Sequence, residues 1–181
     1  MPKTLILFYS RSGATAALAD ALAEGARSVR FSEVTMRRLD DSAAASAIDA
    51  VPEWKASRTA LAARYQTFGH AEELASYDGI ILGGGMCAAV RYLLDQAEAL
   101  RAPGAYANTV GSAFAAVSSE GQREATWPML TSLGNLGMIL VPSGSGQDAA
   151  VVAAEQGRRV AEVVSWVTHA RSHAHSPTHS H

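Results

Sequence analysis

Four short, continuously apolar runs recur along the chain, and they limit the folds it can adopt more than any other feature. They span residues 5–9, 80–82, 110–117 and 138–141. A strand that is covered on both faces shows such a run instead of alternating apolar and polar residues. A fifth run, residues 29–35, is weaker and more amphipathic, which suits the edge of a sheet. The pattern therefore predicts buried parallel strands with one more exposed strand at an edge.

Segments with helical periodicity separate these runs. Residues 14–27 place Leu18 and Leu22 on one face, and similar spacing recurs in two later segments. Those segments carry Val90, Leu93, Leu94, Ala97 and Leu100, and then Val160, Val163, Val164 and Val167. Strands that alternate with helices of this length form βαβ units, and right-handed crossovers leave few topologies. We predict an α/β fold, a three-layer sandwich around a five-stranded parallel sheet in the order 2-1-3-4-5.

Length and composition agree with a single domain. The 181 residues contain 48% apolar and 18% charged residues, and the formal net charge is -2. Because the arginines are dispersed and no basic block stands out, we expect no nucleic-acid partner. No apolar run reaches the roughly 18 residues of a membrane-spanning helix, so we expect no membrane association. Cys87 is the only cysteine, which excludes an intrachain disulfide and favours a reducing cytoplasm.

Two regions fall outside the alternating pattern. Residues 40–75 are rich in alanine and serine, and we expect a partly irregular, partly helical insertion there. From residue 169 onward the sequence is a low-complexity, histidine-rich stretch with nothing to bury. We therefore predict a domain over residues 1–168 and a disordered tail over residues 169–181. The tail histidines have no carboxylate or thiol partners in the sequence around them, and we predict no metal site.

The clearest binding motif follows the first strand. Its residues are Ser10, Arg11, Ser12, Gly13, Ala14 and Thr15. A phosphate at a strand-to-helix junction needs hydroxyl groups, unpaired backbone N–H groups and a residue small enough for close approach. Three hydroxyls, a glycine and the start of a helix meet those needs, and open α/β sheets bind ligands at this edge. The alternative is that Ser12 or Gly13 merely caps the helix.

This loop and several later segments together resemble a known family. The run Leu-Ile-Leu-Phe-Tyr-Ser-Arg-Ser-Gly-Ala-Thr is similar to the first FMN-binding loop of flavodoxins and flavodoxin-like reductases. Residues 76–83, 94–96, 136–142 and 157–162 follow in the family's order. Over residues 4–166 the chain resembles the WrbA-type NAD(P)H:quinone oxidoreductases. The resemblance implies a flavodoxin-like fold, FMN as the cofactor and a homo-oligomer, either a dimer or a tetramer.

The resemblance also implies an activity and further site residues. The activity is that of an FMN-dependent oxidoreductase, which passes electrons from NAD(P)H to a quinone or a similar small-molecule acceptor. In such a site the flavin ring lies between a second and a third loop. The corresponding residues here are Gly84, Gly85 and Met86 in the second loop, and Ser118, Ser119 and Gly121 in the third. The cofactor then carries the chemistry, which agrees with a sequence that shows no catalytic triad motif.

Both ring loops depart from the family pattern. The stretch that corresponds to the second loop, residues 83–92, is shorter and lacks the family's hydroxyl–proline–aromatic sequence, and the third loop contains the acidic Glu120. Tyr92 and Tyr106 are the aromatic candidates for the missing stacking ring, although the position of Tyr92 in the chain favours the surface of the helix that follows the second loop. The alternative function is therefore a flavodoxin-like scaffold with weakened or lost FMN binding that acts as a regulatory or interaction protein. The tryptophans are interpreted as core or interface anchors; they are Trp54, Trp127 and Trp166.

Overall fold

The sheet has the predicted topology. The structure is a computed structural model that describes residues 1–117 and 121–174. Five parallel strands form the sheet in the order β2-β1-β3-β4-β5, which confirms the prediction. They are β1 (Lys3–Phe8), β2 (Glu33–Arg38), β3 (Gly79–Gly83), β4 (Val110–Phe114) and β5 (Ile139–Leu140). Strands β1, β3 and β4 are central, so their carboxyl ends are neighbours.

Helices cover both faces of the sheet. They are α1 (Ala14–Arg27), α2 (Ala45–Asp49), α3 (Pro52–Arg64), α4 (Ala88–Leu100), α5 (Gln122–Asn135) and α6 (Ala149–Ala174), with a 3-10 helix at Ala71–Ser76. Leu5 and Leu7 of β1 pack in one buried cluster with α4, α5 and the 3-10 helix. Ile6 and Phe8 point to the other face and pack with α1 and α6. The result is three layers, and no helix of the described residues is long and apolar enough to cross a membrane.

Helices α1 and α6 approach each other so closely that two positions have no room for a side chain. An added Cβ at Gly25 of α1 would lie 1.8 Å from the carbonyl oxygen of Ala154 in α6. One at Gly157 of α6 would lie 2.0 Å from the carbonyl oxygen of Leu22 in α1. Both positions therefore require glycine at this helix separation. The contact fixes α1, and with it the loop that precedes α1, against the sheet.

Strand boundaries differ from the prediction where the apolar runs are weak. β2 begins at Glu33 and not at residue 29, because the N–H of Ser32 donates to the carbonyl of Val29 and closes a turn after α1. Phe31 in that turn has a φ of 64°, which is not a strand conformation. β4 and β5 are also shorter than the apolar runs that predicted them.

The segment between β2 and β3 contains α2, α3 and the 3-10 helix. None of the 13 residues of α3, all of them described, is buried. After α3 the chain returns to the edge of β2: the N–H of Arg38 donates to the carbonyl of Gln66, and the N–H of Phe68 donates to the carbonyl of Arg38. Ion pairs attach α3 to the rest of the domain, with Arg64 at 2.8 Å from Asp20. This helix is therefore a covering element and not part of the core.

The last helix extends past the predicted domain boundary. The prediction ended the domain at residue 168, whereas α6 continues to Ala174. Residues 169–174 therefore belong to the helix and not to the predicted tail. The final turns have their own contacts: Arg171 lies 3.7 Å from Asp78, and the Nε2 atoms of His169 and His173 lie 3.1 Å apart. Residues 175–181 lie outside the described residues.

Candidate functional site

The carboxyl edge of the sheet brings together the loops that were predicted to form a site. The loops follow β1, β3 and β4, which are adjacent strands. The backbone N–H of Tyr9 donates to the carbonyl of Gly83 at 3.0 Å, and that of Gly84 donates to the carbonyl of Phe114 at 3.4 Å. The first loop therefore lies beside the second, and the second lies beside the start of the third.

The first loop turns into α1 at Gly13. This residue has a φ of 92° and a ψ of -15°, in the left-handed region that favours glycine. Its N–H donates to the Oγ of Ser10 at 3.0 Å, so the half-buried serine holds the turn. Arg11 and Ser12 are exposed at the tip. An added Cβ at Gly13 would meet nothing within 4 Å, which shows open space above the turn.

The N-terminus of α1 carries no side-chain cap, and every residue of this turn is described. Gly13 occupies the N-cap position, and the first turn contains no acidic residue. Of the two residues offered as caps in the alternative, Gly13 therefore occupies the N-cap position and Ser12 does not, and Gly13 has no side chain to bond the helix N–H groups. Ala14 is exposed and Thr15 is buried at the start of the helix. First-turn N–H groups have no partner within the helix, and together with the helix dipole they favour an anion at this position.

A second segment of the chain contacts the first loop from the side of β2. The guanidinium carbon of Arg11 lies 3.9 Å from the centre of the Trp54 ring. The indole Nε1 of Trp54 donates to Oδ2 of Asp41 at 2.8 Å, and the hydroxyl of Tyr9 donates to the same oxygen at 3.1 Å. The N–H of Ala43 donates to the other carboxylate oxygen at 3.0 Å. Asp41 therefore joins α3 to the end of β1.

Burial and charged neighbours shift the pKa values of two side chains beside the first loop, Tyr9 and Asp40. Burial raises the pKa of Tyr9 to about 12, together with its hydrogen bond to Asp41 and the negative charge there. The Tyr9 hydroxyl is therefore neutral at physiological pH. Burial alone would raise the pKa of Asp40, but hydrogen bonds from Arg38 and from the backbone lower it. Arg38 lies 2.9 Å and Arg58 3.7 Å from Asp40, so two cations share this carboxylate.

The second loop places two left-handed glycines next to the first. Gly84 has a φ of 111° and Gly85 a φ of 72°. An added Cβ at Gly84 would lie 2.5 Å from the carbonyl oxygen of Tyr9, whereas one at Gly85 would meet nothing within 4 Å. Met86 and Cys87 are half-buried and pack against the buried cluster that includes α4. Gly84 therefore allows the two loops to touch, while Gly85 borders open space.

The third loop is described only in part. Ser118 and Ser119 lie outside the described residues, as does Glu120. Gly121 is half-buried and directly precedes α5, with a φ of -81° that any residue can adopt. Of the three predicted residues in this loop, the structure therefore places Gly121 alone at the carboxyl edge, at the start of a helix.

The aromatic residues are not where a stacking ring was predicted. Tyr106 is 2% exposed and belongs to the core, so it cannot stack on a ligand, whereas Tyr92 is 67% exposed on α4. Trp127 and Trp166 are 64% and 66% exposed, which excludes the core role proposed for them. Trp54 is half-buried against Arg11. The aromatic side chain in contact with the predicted first loop is therefore Trp54.

The sequence prediction did not include Asp41 or Trp54 in the site. One signal was present, because Asp41 follows β2 and the predicted strand order places β2 beside β1. The carboxyl ends of neighbouring parallel strands meet at one edge. Trp54 gave no comparable signal, since its position depends on how the whole segment after β2 folds back.

Comparison with solved structures identifies the fold. No protein-family model matches the sequence. The structure is similar to a flavodoxin from the domain Archaea, with a TM-score of 0.58 and 17% identity over 90% of this chain and 99% of that one. For a flavodoxin from Streptococcus pneumonia TIGR4 the TM-score is 0.60, with 12% identity over 91% and 98%. For the diflavin flavoprotein A3 from Nostoc sp. it is 0.55, with 16% identity over 97% and 99%. The chain has the flavodoxin-like α/β fold.

Proposed function

We propose that this chain binds FMN at the carboxyl edge of its sheet and acts as an FMN-dependent oxidoreductase. The observation that carries the proposal is the uncapped N-terminus of α1 behind the left-handed Gly13, with the exposed Arg11 beside it. In this proposal NAD(P)H is the electron donor, and a quinone or a similar small molecule is the acceptor. The similarity to flavodoxins supports the choice of a flavin among the ligands that carry a phosphate.

The phosphate is assigned to the first loop. First-turn N–H groups of α1 would donate to its oxygens, and the hydroxyls of Ser12 and Thr15 would be the side-chain donors of the same loop. No side chain competes for this position, because the described residues provide no cap and no first-turn carboxylate. The open space at Gly13 lets an oxygen approach the backbone. The guanidinium of Arg11 adds the positive charge that a phosphate dianion requires.

The flavin ring is assigned to the space between the second and third loops. Gly85 borders open space and leaves its backbone free to approach the edge of a ring. Met86 offers an apolar, polarizable wall beside it. In this proposal Gly121 borders the ring from the third loop; Ser118 and Ser119, the other two residues predicted for that loop, lie outside the described residues. These residues would hold the flavin, which would supply the electron transfer between NAD(P)H and the acceptor. The side chains bind and orient, and the neutral Tyr9 hydroxyl keeps the first loop joined to Asp41.

A titration with FMN tests the proposal. The purified protein is expected to take up FMN with a shift in its visible absorption, and NAD(P)H is then expected to bleach the bound flavin. Replacing Ser12 with glutamate should abolish uptake, because the added carboxylate repels the phosphate. Ser28→Glu is a matched control: the same change at the exposed residue that follows the other end of α1 should leave uptake unchanged. A wild-type protein that takes up no FMN contradicts the proposal, and an S12E variant that binds normally contradicts the phosphate assignment.

A scaffold with weakened or lost FMN binding remains the second candidate. It is favoured by the burial of Tyr106 and the exposure of Tyr92, which leave the second loop without an aromatic residue of its own to cover the ring. This candidate predicts that phosphate or another small anion still binds at the first loop while FMN is taken up weakly. The FMN titration therefore separates the two candidates directly.

We also propose a homo-oligomer. The resemblance to the WrbA-type oxidoreductases and two exposed tryptophans support it. Trp127 on α5 and Trp166 on α6 are each more than 60% exposed. Large aromatic side chains are enriched at protein interfaces, where they bury much apolar area. Light scattering of the purified chain is expected to give the mass of a dimer or a tetramer, and a monomer mass would contradict this proposal.

A further inference from the structure

We infer that Trp54 is a positioning residue for the phosphate site: held by Asp41, its ring fixes the guanidinium of Arg11 beside the first loop. The inference rests on the proposed phosphate site and extends that site to α3. It gives the segment after β2 a function, which is to position the arginine that binds the phosphate of the ligand.

The contacts form a continuous chain from α3 to both sides of Ser10. On one side Arg11 lies over the Trp54 ring at 3.9 Å. On the other side Tyr9 donates to Asp41 at 3.1 Å, and Asp41 accepts from Trp54 at 2.8 Å. Tyr9 and Arg11 are both held by side-chain contacts, so the backbone of Ser10 between them is restricted. The first loop and α3 are therefore held together through one carboxylate and one indole ring.

Stacking on an aromatic face leaves a guanidinium able to bind an anion. The five N–H donors of arginine lie in the plane of the group and point away from its faces. Contact of one face with the Trp54 ring uses none of these donors. Arg11 can therefore remain on the ring and still donate to a phosphate at the start of α1. Because the side chain is already held, less rotamer entropy is lost when the phosphate binds.

Within residues 1–117 and 121–174, the charges around Arg11 leave its guanidinium without an ion pair. No ion pair among the described residues includes Arg11, although two carboxylates follow β2 nearby. Asp40 is taken by Arg38 and Arg58. Asp41 accepts hydrogen bonds from Tyr9, Trp54 and the backbone of Ala43. An exposed cation that is held on an aromatic ring and has no counter-charge is suited to an anionic ligand.

The exposure of α3 makes the role of Trp54 separable from folding. None of the residues of α3 is buried, and Trp54 itself is half-buried. Its replacement therefore removes a contact to the first loop without opening a cavity in either buried cluster. A Trp54→Ala variant is expected to remain folded, which far-ultraviolet circular dichroism and a thermal melt will verify.

The test compares FMN with riboflavin, which lacks the phosphate, on the full chain. Trp54→Ala is expected to weaken FMN binding about tenfold, or about 1.4 kcal/mol, while riboflavin affinity changes less than about twofold. Trp54→Phe keeps an aromatic face and is expected to fall between the wild type and Trp54→Ala. Phe31→Ala removes an exposed aromatic ring that lies 4.7 Å from the guanidinium of Arg30, beyond the far end of α1, and should change neither affinity. Equal losses for FMN and riboflavin would overturn the inference, because a general disturbance of the site weakens both.

A double-mutant cycle tests whether Trp54 acts through Arg11. Arg11→Ala is expected to weaken FMN binding at least as much as Trp54→Ala. In the double variant the tryptophan has no guanidinium to hold, so the loss should equal that of Arg11→Ala alone. Independent losses that multiply would show that Trp54 does not act through Arg11, and would overturn the inference.

Titration with inorganic phosphate separates failure of this inference from failure of the proposed function. Binding is followed by the amide NMR shifts of residues 12–15 and requires no flavin. If the wild type binds phosphate but not FMN, the FMN proposal fails; the inference then predicts weaker phosphate binding in Trp54→Ala and is overturned if that affinity is unchanged. If the wild type binds neither ligand, both are overturned.

Discussion

The hydroxyl of Tyr65 donates to the carboxylate of Asp20, at 2.8 and 2.9 Å from its two oxygens, and joins the end of α3 to α1. Arg64 pairs with the same carboxylate at 2.8 Å. The Tyr65 ring is buried and meets the ring of Phe8 edge to face, with centroids 5.1 Å apart. Since α3 has no buried residue, this junction anchors its carboxyl end, as Trp54 anchors its amino end.

Stability should depend on the protonation of Tyr65. Burial raises the pKa of Tyr65 to about 12 from the ordinary value of 10.0, with further contributions from the hydrogen bond to Asp20 and its charge. Because the pKa of Tyr65 is higher in the folded than in the unfolded state, its protonated hydroxyl stabilises the fold fully below pH 10. This stabilisation is lost as the pH rises toward 12. The melting temperature of the wild type should therefore fall more steeply over that interval than that of Tyr65→Phe. At neutral pH the variant should lose about 1 kcal/mol of stability. Parallel pH curves would contradict this account.

The central part of the fold was predictable because its signals are local and redundant. The apolar runs marked the buried strands, and α1 occupies the predicted residues 14–27. Connection rules then fixed the strand order. The errors fall where those signals weaken: β2 is an edge strand that begins after a turn at Phe31, and α6 continues past residue 168. Amphipathic edges and exposed helix ends carry little apolar patterning, so their limits depend on turn geometry and surface contacts.

The candidate site was predictable in the same uneven way. The first loop could be identified because a glycine and hydroxyl residues stand between a buried strand and a helix. The role of Ser10 in holding Gly13 is visible only in the structure. Trp54 could not be placed from sequence, since its contact with Arg11 depends on the path of α3. Long-range contacts of an exposed helix leave no periodic signal.

The two left-handed glycines of the second loop should respond differently to alanine. At Gly85 there is space for an added methyl group, so Gly85→Ala should lose only the free energy of holding alanine in the left-handed conformation, about 1 kcal/mol. Gly84→Ala also places its Cβ 2.5 Å from the carbonyl oxygen of Tyr9, so the two loops must separate. The second variant should therefore lose at least about 2 kcal/mol more than the first, measured by denaturant unfolding. It should also lose FMN uptake, and equal stabilities of the two variants would contradict the loop contact.

Alanine at Gly157 should be among the most destabilising single changes in the chain. The added methyl group would meet the carbonyl of Leu22 at 2.0 Å, and the helices cannot yield there because α1 and α6 are both packed on the sheet. We expect a loss of about 3 kcal/mol or more in unfolding free energy. Gly144→Ala is the control, since an added Cβ there meets nothing within 4 Å. A G157A variant as stable as G144A would show that the two helices are not in such close contact.

Gln156 carries a buried polar network that ties α6 to the end of β4. Its Nε2 donates to the Oγ of Ser112 and to the carbonyl of Ala113, each at 2.8 Å, and Ser112 donates to the carbonyl of Val141 at 2.5 Å. Gln156→Leu leaves two buried acceptors without a donor and should cost about 2 to 4 kcal/mol in unfolding free energy. Ser112→Ala alone removes one acceptor and one donor and should cost less.

The double variant of Ser112 and Gln156 distinguishes a network from two separate contacts. When Ser112→Ala is already present, Gln156→Leu leaves one buried acceptor without a donor instead of two. The further loss of unfolding free energy should therefore be smaller by about 1 kcal/mol. Gln147→Leu is the control: it makes the same change from glutamine to leucine at an exposed position and should change stability by less than about 0.5 kcal/mol. Strict additivity of the two buried changes in denaturant unfolding would show that the amide of Gln156 is not shared between Ser112 and Ala113. Because this network lies under the strand that leads into the third loop, its loss should also weaken FMN uptake while leaving phosphate binding at the first loop intact.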